Sequence, residues 1–319
     1  MTNDFVEWHA RIVEASQRIY ELVEPTPVAM MEDSRRLGSV HAFLKQEHLQ
    51  RTGSFKLRGA TNRVLSLSPG EAARGVVTSS TGNHALGVAT AARHRAVDAE
   101  VYVSSQISAK KLRLIEELGA RIRQYGNTPL EAELAARAAA VAAGKIYISP
   151  YNDPHVIAGQ GTIGMELAQQ VASIDAIYVA VGGGGLVSGI GTYIKSVSPG
   201  TEVVGCWPKN SRVMYECLRA GKIIDFPEQP TLSESTAGGV ESGAITFELC
   251  TRLIDRSVLV SEVEALDAMR WAHQRGWMVE GAAAVAIAAL LRDARRQRGR
   301  TVVVISCGGN SSPEVLAML

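Results

Sequence analysis

The feature that most constrains the fold of this 319-residue chain is a regular alternation of short apolar runs with longer helical patterns. Eight runs rich in Val, Ile and Tyr have the length of strands, namely GVVTS, EVYVS, RIRQY, KIYIS, DAIYVAV, EVVGC, SVLVS and TVVVIS. Stretches of helix length, such as 112–118, 130–143 and 211–220, lie between most of them. Nearly continuous apolar strands that alternate with helices indicate an α/β fold with two open, mostly parallel sheets and helices on both faces.

The spacing of these runs also predicts how the chain is divided. Several strands follow one another at short intervals between residues 72 and 148, which predicts a small domain there. Residues 1–71 and 149–319 are then expected to form a larger, discontinuous domain with a second sheet. No low-complexity linker marks the joins.

Composition and charge limit the classes of function. A net charge of +1 and a pI near 7.7 give no electrostatic reason to expect binding to nucleic acid or to a membrane. The basic run RDARRQRGR (292–300) is expected to be a solvated helix end rather than a nucleic-acid patch. The longest apolar run, 282–291, is half a membrane span. Four isolated cysteines and a charged N-terminal sequence favour reduced thiols in a cytoplasmic protein.

The strongest local motif is DAIYVAVGGGGLVSGIGTYIK, residues 175–195, in which a buried strand runs into four glycines before a helix. Glycines let the backbone approach a ligand closely, and the start of a helix offers free N–H groups to an anion, so this motif predicts a phosphate cradle. A tight turn without a ligand is the alternative. The spacing of a dinucleotide-binding motif fails at Val187 and Ser188, and no P-loop is present, so the phosphate belongs to another kind of ligand.

Two further predicted strands end in small polar residues. The segment VVTSSTGNHALGVA (76–89) can bind a small carboxylate at the start of a helix, or it can simply cap that helix. Its His84 is either an acid–base group or a structural residue. The segment TVVVISCGGNSS (301–312) ends in Cys307, two glycines and Asn310. Ligands of open parallel sheets bind outside the carboxyl ends of the strands, so these segments predict one shared crevice.

Lys56, in RTGSFKLRGATN (51–62), is one of only 8 lysines in the chain and lies in a turn before a predicted helix. Facing a phosphate-bearing ligand, such a lysine can serve as a point charge or form a Schiff base with an aldehyde. A phosphate cradle and one unusual lysine, without a nucleotide-binding motif, fit pyridoxal phosphate.

Six motifs extend this interpretation over nearly the whole chain: SFKLRGATN, SSTGNHALGVA, GQGTIGMEL, VGGGGLVSGI, STAGGVESG and SCGGNSS. In their order and spacing the chain resembles the fold-type II pyridoxal-phosphate enzymes, in particular the serine/threonine dehydratases (ammonia-lyases) and serine racemase. The resemblance implies a fold like that of the tryptophan synthase β subunit, with pyridoxal 5′-phosphate in the cleft between the domains. It also implies an amino-acid substrate and a homodimer.

The resemblance assigns roles to individual cofactor-binding residues. Lys56 would be the Schiff-base lysine, and Phe55 would pack against the cofactor ring. Asn83 would bond the 3′-hydroxyl group, and Cys307 would face the pyridine nitrogen. Glu280 and Gly239 match positions beside the cofactor. The phosphate would be held by backbone N–H groups of Gly182, Gly183, Gly184, Gly185 and Leu186.

The resemblance also implies the reaction, a β-elimination that converts L-threonine, L-serine or a related 3-hydroxy amino acid into a 2-keto acid and ammonia. Lys56 would remove the Cα proton. The loop that grips the substrate carboxylate would consist of Ser80, Thr81, Gly82 and His84.

Three other interpretations remain. Thr81 stands where the racemase has a second acid–base hydroxyl, which keeps an amino-acid racemase as the alternative. The variant STGNH is also similar to dehydratases of larger 3-hydroxy amino acids, such as those of hydroxyectoine degradation. A catalytically silent binding protein is disfavoured, because such a protein has no use for a Schiff-base lysine.

One segment departs from some members of the family, which bind a divalent metal through acidic residues. In CWPKNSRVM (206–214), Trp207 and Val213 occupy the positions where acids would be expected. Mg²⁺ and Ca²⁺ require oxygen ligands. We therefore expect no metal there.

Overall fold

Two separate β-sheets organise the chain in the computed structural model, which describes residues 3–105, 107 and 109–319. From edge to edge, the larger sheet contains β1 (Val28–Met30), β2 (His41–Gln46), β10 (Thr301–Ser306), β7 (Ala176–Ala180), β8 (Glu202–Pro208) and β9 (Arg256–Val260). The smaller sheet contains β5 (Arg121–Gln124), β4 (Ala99–Val103), β3 (Val76–Ser79) and β6 (Ile146–Tyr147). Every neighbouring pair is parallel except β1 and β2. The predicted α/β class with mostly parallel sheets is confirmed.

Helices connect the strands and surround the sheets. They are α1 (Asn3–Ile19), α2 (Ser34–Leu37), α3 (Lys56–Leu65), α4 (Pro69–Arg74), α5 (Asn83–Arg95), α6 (Ala109–Glu117), α7 (Pro129–Ala143), α8 (Pro154–Gln170), α9 (Gly185–Val197), α10 (Val213–Ala220), α11 (Ile245–Leu253), α12 (Glu262–His273), α13 (Gly281–Asp293) and α14 (Pro313–Leu316). Short 3₁₀ turns lie at Glu47–Leu49 and Glu234–Thr236.

The buried strand β7 shows why the apolar runs predicted parallel sheets. All five of its residues are buried, and successive side chains of a strand point to opposite faces, so both faces of the sheet are covered there. The apolar run 282–291 forms most of α13, which packs against β7, β8 and β10. Within the described residues, no helix is both long enough and apolar enough to cross a membrane.

Helix α3, which begins at Lys56, lies between the two sheets. It packs on α5, which follows β3 of the smaller sheet, and on α8, which leads into β7 of the larger one. The apolar core of the smaller sheet also includes Leu57 and Val64 of α3 and Val156 of α8. This core therefore extends beyond residues 72–148, and the predicted domain limits stay a prediction.

Eight of the strands coincide with the predicted runs, but β1 and β2 were not predicted. Strand β2 has the sequence HAFLKQ, in which polar residues interrupt the apolar pattern, although it pairs in register with β10 in the middle of the sheet. Its Lys45 is fully buried, and Lys45 Nζ donates hydrogen bonds to the Glu166 carboxylate (2.5 Å) and to the Thr26 carbonyl (2.7 Å). Tertiary partners allow a lysine in this strand, and local sequence does not reveal them.

Lys45 belongs to a buried network of charges that also fixes helix α3. Arg58, two residues after Lys56, is fully buried and donates to Glu47 from Nε (2.7 Å) and Nη2 (2.8 Å). Its Nη1 and Nη2 donate to Glu166 (2.6 and 3.0 Å). Burial alone would raise the pKa of Glu166, but Arg58 and Lys45 together hold it below its ordinary value. The network thus holds two positive and two negative charges that neutralise one another.

We expect Arg58→Met to lower the free energy of unfolding by about 3–5 kcal/mol, because it leaves two buried carboxylates without their main partner. Urea unfolding followed by circular dichroism measures this change. The control is Arg36→Met, since Arg36 forms an exposed ion pair with Asp267 (2.7 Å) and its loss is expected to cost less than about 1 kcal/mol. Equal effects of the two substitutions would show that the buried network does not stabilise the fold.

Candidate active site

The carboxyl ends of β3 and β10, the loop that carries Lys56 and the start of α13 meet in one cleft. The Phe55 N–H donates to the Cys307 carbonyl (2.9 Å), and the Gly309 N–H donates to the Gly53 carbonyl (2.9 Å). Ser54 and Gly308 form an isolated β-bridge between the same two segments. The loop that carries Lys56 is therefore attached along its length to the segment that follows β10.

Lys56 is the first residue of α3, and its amine has few polar partners. Nζ donates to the Pro150 carbonyl (2.8 Å) and lies 5.1 Å from the centre of the Phe55 ring. Burial lowers the pKa of Lys56 to about 8, although Cys307 and Glu280 act in the opposite direction. An ordinary lysine has a pKa near 10.4, so Lys56 holds far more neutral, nucleophilic amine near neutral pH.

Cys307 directly follows β10 and is 3% exposed. Burial raises the pKa of its thiol well above the ordinary value, and the nearby Glu280 raises it further. The thiol is therefore neutral over the physiological range, so it offers a weak donor and a weak acceptor rather than a charge.

The first three of the four glycines lie between β7 and α9, and the fourth, Gly185, is the first residue of α9. Gly184 has φ of 88°, a left-handed conformation that favours glycine. A Cβ atom on Gly183 would lie 2.5 Å from the Tyr151 ring, and one on Gly182 would lie 2.8 Å from the Thr236 carbonyl oxygen. Within the described part of the chain, the backbone N–H groups of residues 182–187 have no carbonyl acceptor. They form a set of free donors at a helix start, which suits an anion.

Asn83 begins α5 and is linked to Glu280, which precedes α13. Asn83 Nδ2 lies 3.0 and 3.2 Å from the two carboxylate oxygens of Glu280. Glu280 is 3% exposed, and burial raises the pKa of its carboxyl group, against the effect of hydrogen bonds from Asn83 and Ser235. The structure thus brings together two residues that the motifs assigned separately.

The segment 80–84 joins β3 to α5. The Gly82 N–H donates to the Ser80 hydroxyl (3.2 Å). The imidazole of His84 is 2% exposed, and its Nε2 lies 3.1 Å from the Ile148 carbonyl oxygen. Burial and the nearby Lys56 lower the pKa of His84 to about 3. His84 is therefore neutral and supplies no positive charge for a carboxylate.

Three positions that the sequence analysis named lie apart from these contacts. Gly239 is exposed, and a Cβ atom on it would meet no described atom within 4 Å. Trp207 is buried in β8, and Val213 is the first residue of α10. Among the described residues, no group of three or more His, Cys, Asp or Glu is placed to hold a metal ion, and the expected absence of a metal stays a prediction.

A protein-family model described as pyridoxal-phosphate dependent enzyme matches residues 19–308 of the chain. This match agrees with the geometry of the cleft. The chain belongs to this family. It is 38% identical to L-threonine ammonia-lyase of Thermotoga maritima over 300 residues, 94% of this chain and 74% of that protein.

Two solved structures of similar proteins support the fold. The processed form of threonine deaminase isoform 2 from Solanum lycopersicum superposes with a TM-score of 0.94 at 32% identity, covering 99% of this chain and 92% of the other. Maize serine racemase gives a TM-score of 0.91 at 30% identity, covering 97% and 95% of the two chains. The family resemblance inferred from the motifs is confirmed.

The cleft of this pyridoxal-phosphate dependent enzyme fits its cofactor in three respects. The free N–H groups of residues 182–187 suit a phosphate, and the close contacts of Gly182 and Gly183 leave no room for side chains on this loop. Lys56 presents an amine with a lowered pKa. The side-chain amide of Asn83 is fixed in position, because its nitrogen donates to Glu280 and its oxygen accepts from Asn310.

Tyr151 and Ser235 contribute to the site but were not predicted from the sequence. The Tyr151 ring packs on Gly183, and its hydroxyl accepts a hydrogen bond from the Glu241 N–H (2.9 Å). Ser235 lies 3.4 Å from Asn83 Nδ2. Tyr151 follows β6, so the rule that ligands bind at the carboxyl ends of strands would have indicated its neighbourhood.

We expect the Lys56 amine in the cofactor-free protein to react with acetic anhydride with a pH midpoint near 8, because only the neutral amine is a nucleophile. Trace labelling at a series of pH values, quantified by mass spectrometry of the Lys56 peptide, measures this midpoint. Lys145 is the control, since its hydrogen bonds to Glu100 and Asp98 outweigh burial and raise its pKa. A Lys56 midpoint as high as that of Lys145 would contradict the lowered pKa.

Proposed function

We propose that the protein is an ammonia-lyase that converts L-threonine, L-serine or a related 3-hydroxy amino acid into a 2-keto acid and ammonia. The observation that carries this proposal is the Lys56 amine, with its pKa lowered to about 8, which donates to Pro150, while the glycine loop packs on the adjacent Tyr151. The similarity to an L-threonine ammonia-lyase over 94% of the chain supports it.

The cofactor, pyridoxal 5′-phosphate, would be held by residues from several elements. Lys56 would bind its aldehyde carbon, Asn83 its 3′-hydroxyl group, and Phe55 would pack on the ring. Cys307 would lie at the pyridine nitrogen, with Glu280 acting through Asn83. The phosphate would take the N–H groups of Gly182, Gly183, Gly184, Gly185 and Leu186. When bound, the cofactor supplies an acceptor for the electron pair that is left at the substrate Cα.

Lys56 is proposed as the base that moves the Cα proton. A general base works best when its pKa is near the working pH, and burial brings Lys56 to about 8. The carbonyl of Pro150 accepts a hydrogen bond from Nζ and so orients the amine. The Cα–H bond and the bond to the β-oxygen break, and water leaves. The unsaturated amine that is released takes up water and loses ammonia, giving the 2-keto acid.

The segment 80–84 is proposed to bind the substrate carboxylate through its hydroxyl groups and the N–H groups at the start of α5. Because His84 is neutral, its part is to hold this segment against the Ile148 carbonyl. Thr81 is the second residue of the segment and is only partly buried. The size of the side chain that the cleft accepts would then depend on this segment, which keeps larger 3-hydroxy amino acids among the candidate substrates.

We expect the purified protein to release a 2-keto acid from L-threonine, L-serine or a larger 3-hydroxy amino acid, and Lys56→Ala to lower kcat by at least about 10³-fold through loss of the base. The keto acid is measured by an assay coupled to lactate dehydrogenase or by formation of its hydrazone. Lys195→Ala is the control, since Lys195 pairs with Asp255 (2.7 Å) and is not placed in the cleft. Keto-acid release by Lys56→Ala at the wild-type rate would contradict the proposal.

An amino-acid racemase is the second candidate, favoured by the similarity to maize serine racemase and by the hydroxyl of Thr81. If this activity is present, we expect Thr81→Ala to lower D-serine formation at least about tenfold, because it removes an acid–base hydroxyl. Keto-acid formation is expected to fall much less. Chiral chromatography after incubation with L-serine measures both products. Thr81→Ser keeps the hydroxyl and serves as the control; equal D-serine formation by both variants would exclude Thr81 as the second acid–base group.

A homodimer and a cytoplasmic location complete the proposal. The homodimer rests on the family resemblance, and sedimentation equilibrium of the purified protein tests it. The location is supported by the four cysteines, which are all free thiols and buried, as expected in a reducing compartment.

A further inference from the structure

Asn310, three residues beyond Cys307, connects the segments of the cleft. Its Nδ2 lies 2.8 Å from the Thr52 carbonyl oxygen, in the loop that carries Lys56. The same Nδ2 lies 2.8 Å from Asn83 Oδ1, at the start of α5. One amide group thus donates a hydrogen bond both to the lysine loop and to the residue proposed to bind the cofactor's 3′-hydroxyl group.

The chemistry of the partners fixes the orientation of both amides. A backbone carbonyl only accepts, so the group of Asn310 that faces Thr52 is its NH₂. That NH₂ requires an acceptor on Asn83, which turns Asn83 Oδ1 towards Asn310 and Asn83 Nδ2 towards Glu280. Of the two protons on Asn83 Nδ2, one is donated to Glu280 (3.0 Å). The other has only longer contacts, to the second Glu280 oxygen (3.2 Å) and to the Ser235 hydroxyl (3.4 Å), so a cofactor oxygen would compete for it.

Glu280 by itself does not fix Asn83 in this orientation. An ionised carboxylate only accepts hydrogen bonds, but a protonated one also carries an O–H donor. That donor could bind Asn83 Oδ1 if the Asn83 amide were rotated to exchange its oxygen and nitrogen. Burial raises the pKa of Glu280, which favours the protonated form. The NH₂ of Asn310 cannot change from donor to acceptor, so it selects one orientation in both protonation states of Glu280.

The lysine loop is shaped around this side chain. A Cβ atom on Gly53 would lie 2.5 Å from Asn310 Oδ1, so any side chain at position 53 would displace Asn310. Gly53 also has φ of 73°, and its carbonyl accepts from the Gly309 N–H (2.9 Å). The close approach places the Asn310 amide within reach of both Thr52 and Asn83.

We propose that Asn310 is a positioning residue of the cofactor site, which holds the Asn83 amide with its NH₂ group towards the cofactor and couples it to the loop of Lys56. This inference rests on the proposed role of Asn83. Asn310 acts through Asn83, so its removal is expected to matter only while Asn83 is present.

A double-mutant cycle on cofactor binding tests this inference. Cofactor-free wild type, Asn83→Ala, Asn310→Leu and the double variant are titrated with pyridoxal 5′-phosphate, and Kd is measured from the visible absorption. The loss of one or two neutral hydrogen bonds corresponds to roughly a tenfold weaker Kd for Asn310→Leu in the wild-type background. In the Asn83→Ala background, we expect a change of less than about twofold.

A second readout separates positioning from a general loss of structure. If Asn310 acts through Asn83, the pH midpoint of the visible band of the bound cofactor shifts in the same direction in Asn310→Leu and Asn83→Ala. Asn310→Asp keeps the size, and above the pKa of the new carboxyl group it only accepts, so at such pH it is expected to weaken binding at least as much as Asn310→Leu. It replaces that variant in the cycle if Asn310→Leu does not fold. Asn210→Leu is the control, since Asn210 Nδ2 also donates to a carbonyl, that of Pro230 (2.7 Å).

The outcomes are distinct. An unchanged Kd in Asn310→Leu and Asn310→Asp, or an equal effect of Asn310→Leu in both backgrounds, overturns the inference. A wild-type Kd in Asn83→Ala refutes the role of Asn83, and the inference falls with it. A cycle that shows coupling in a protein without lyase activity upholds the inference and rejects the proposed reaction, so the two failures are distinguishable.

Discussion

The arrangement of the cleft depends on the ion pairs that the fully buried guanidinium of Arg58 forms. It reaches Glu47, directly after β2, and Glu166, in α8, while Lys45 of β2 supplies the second positive charge. Placing each of these ions in the interior costs several kcal/mol, which is offset only when all the partners are present with good geometry. Because such a network does not tolerate a missing partner or a shifted one, it fixes helix α3, and with it Lys56, against the larger sheet.

Lys45 and Lys56 show how the environment decides the chemistry of a buried lysine. Burial lowers the pKa of both. Lys45 Nζ, however, has a carboxylate, a carbonyl and the Gln170 side chain as partners, all within 2.9 Å. Lys56 Nζ has a single carbonyl, so desolvation is poorly compensated and the neutral amine is favoured. The two lysines therefore differ in the number of polar partners that the fold provides.

The sequence predicted the elements whose signal is local. The apolar runs located eight strands, and motifs located Lys56, the glycine loop and Asn83. Strand β2 was missed because a buried lysine contradicts the strand pattern, and β1 has only three residues. The link between Asn83 and Glu280 joins positions 197 residues apart, and the packing of Tyr151 on Gly183 is likewise a tertiary contact. Hydrogen-bond partners of this kind depend on the packing of whole elements, so no local pattern reports them.

The two sides of the cleft are built by different means. Close helix contacts bring α5 and α8 against α3: a Cβ atom on Gly87 would lie 3.1 Å from the Lys56 carbonyl oxygen, and one on Gly159 would lie 2.6 Å from that of Arg58. The side of Lys56 is thus fixed by ions and by helix packing. The segment 80–84 is held by a short turn, by the neutral His84 and by Asn83. Substitutions in that segment are expected to leave the buried charges undisturbed, since none of its residues belongs to the network. The network of buried charges and the segment 80–84 are therefore held in place by separate sets of contacts.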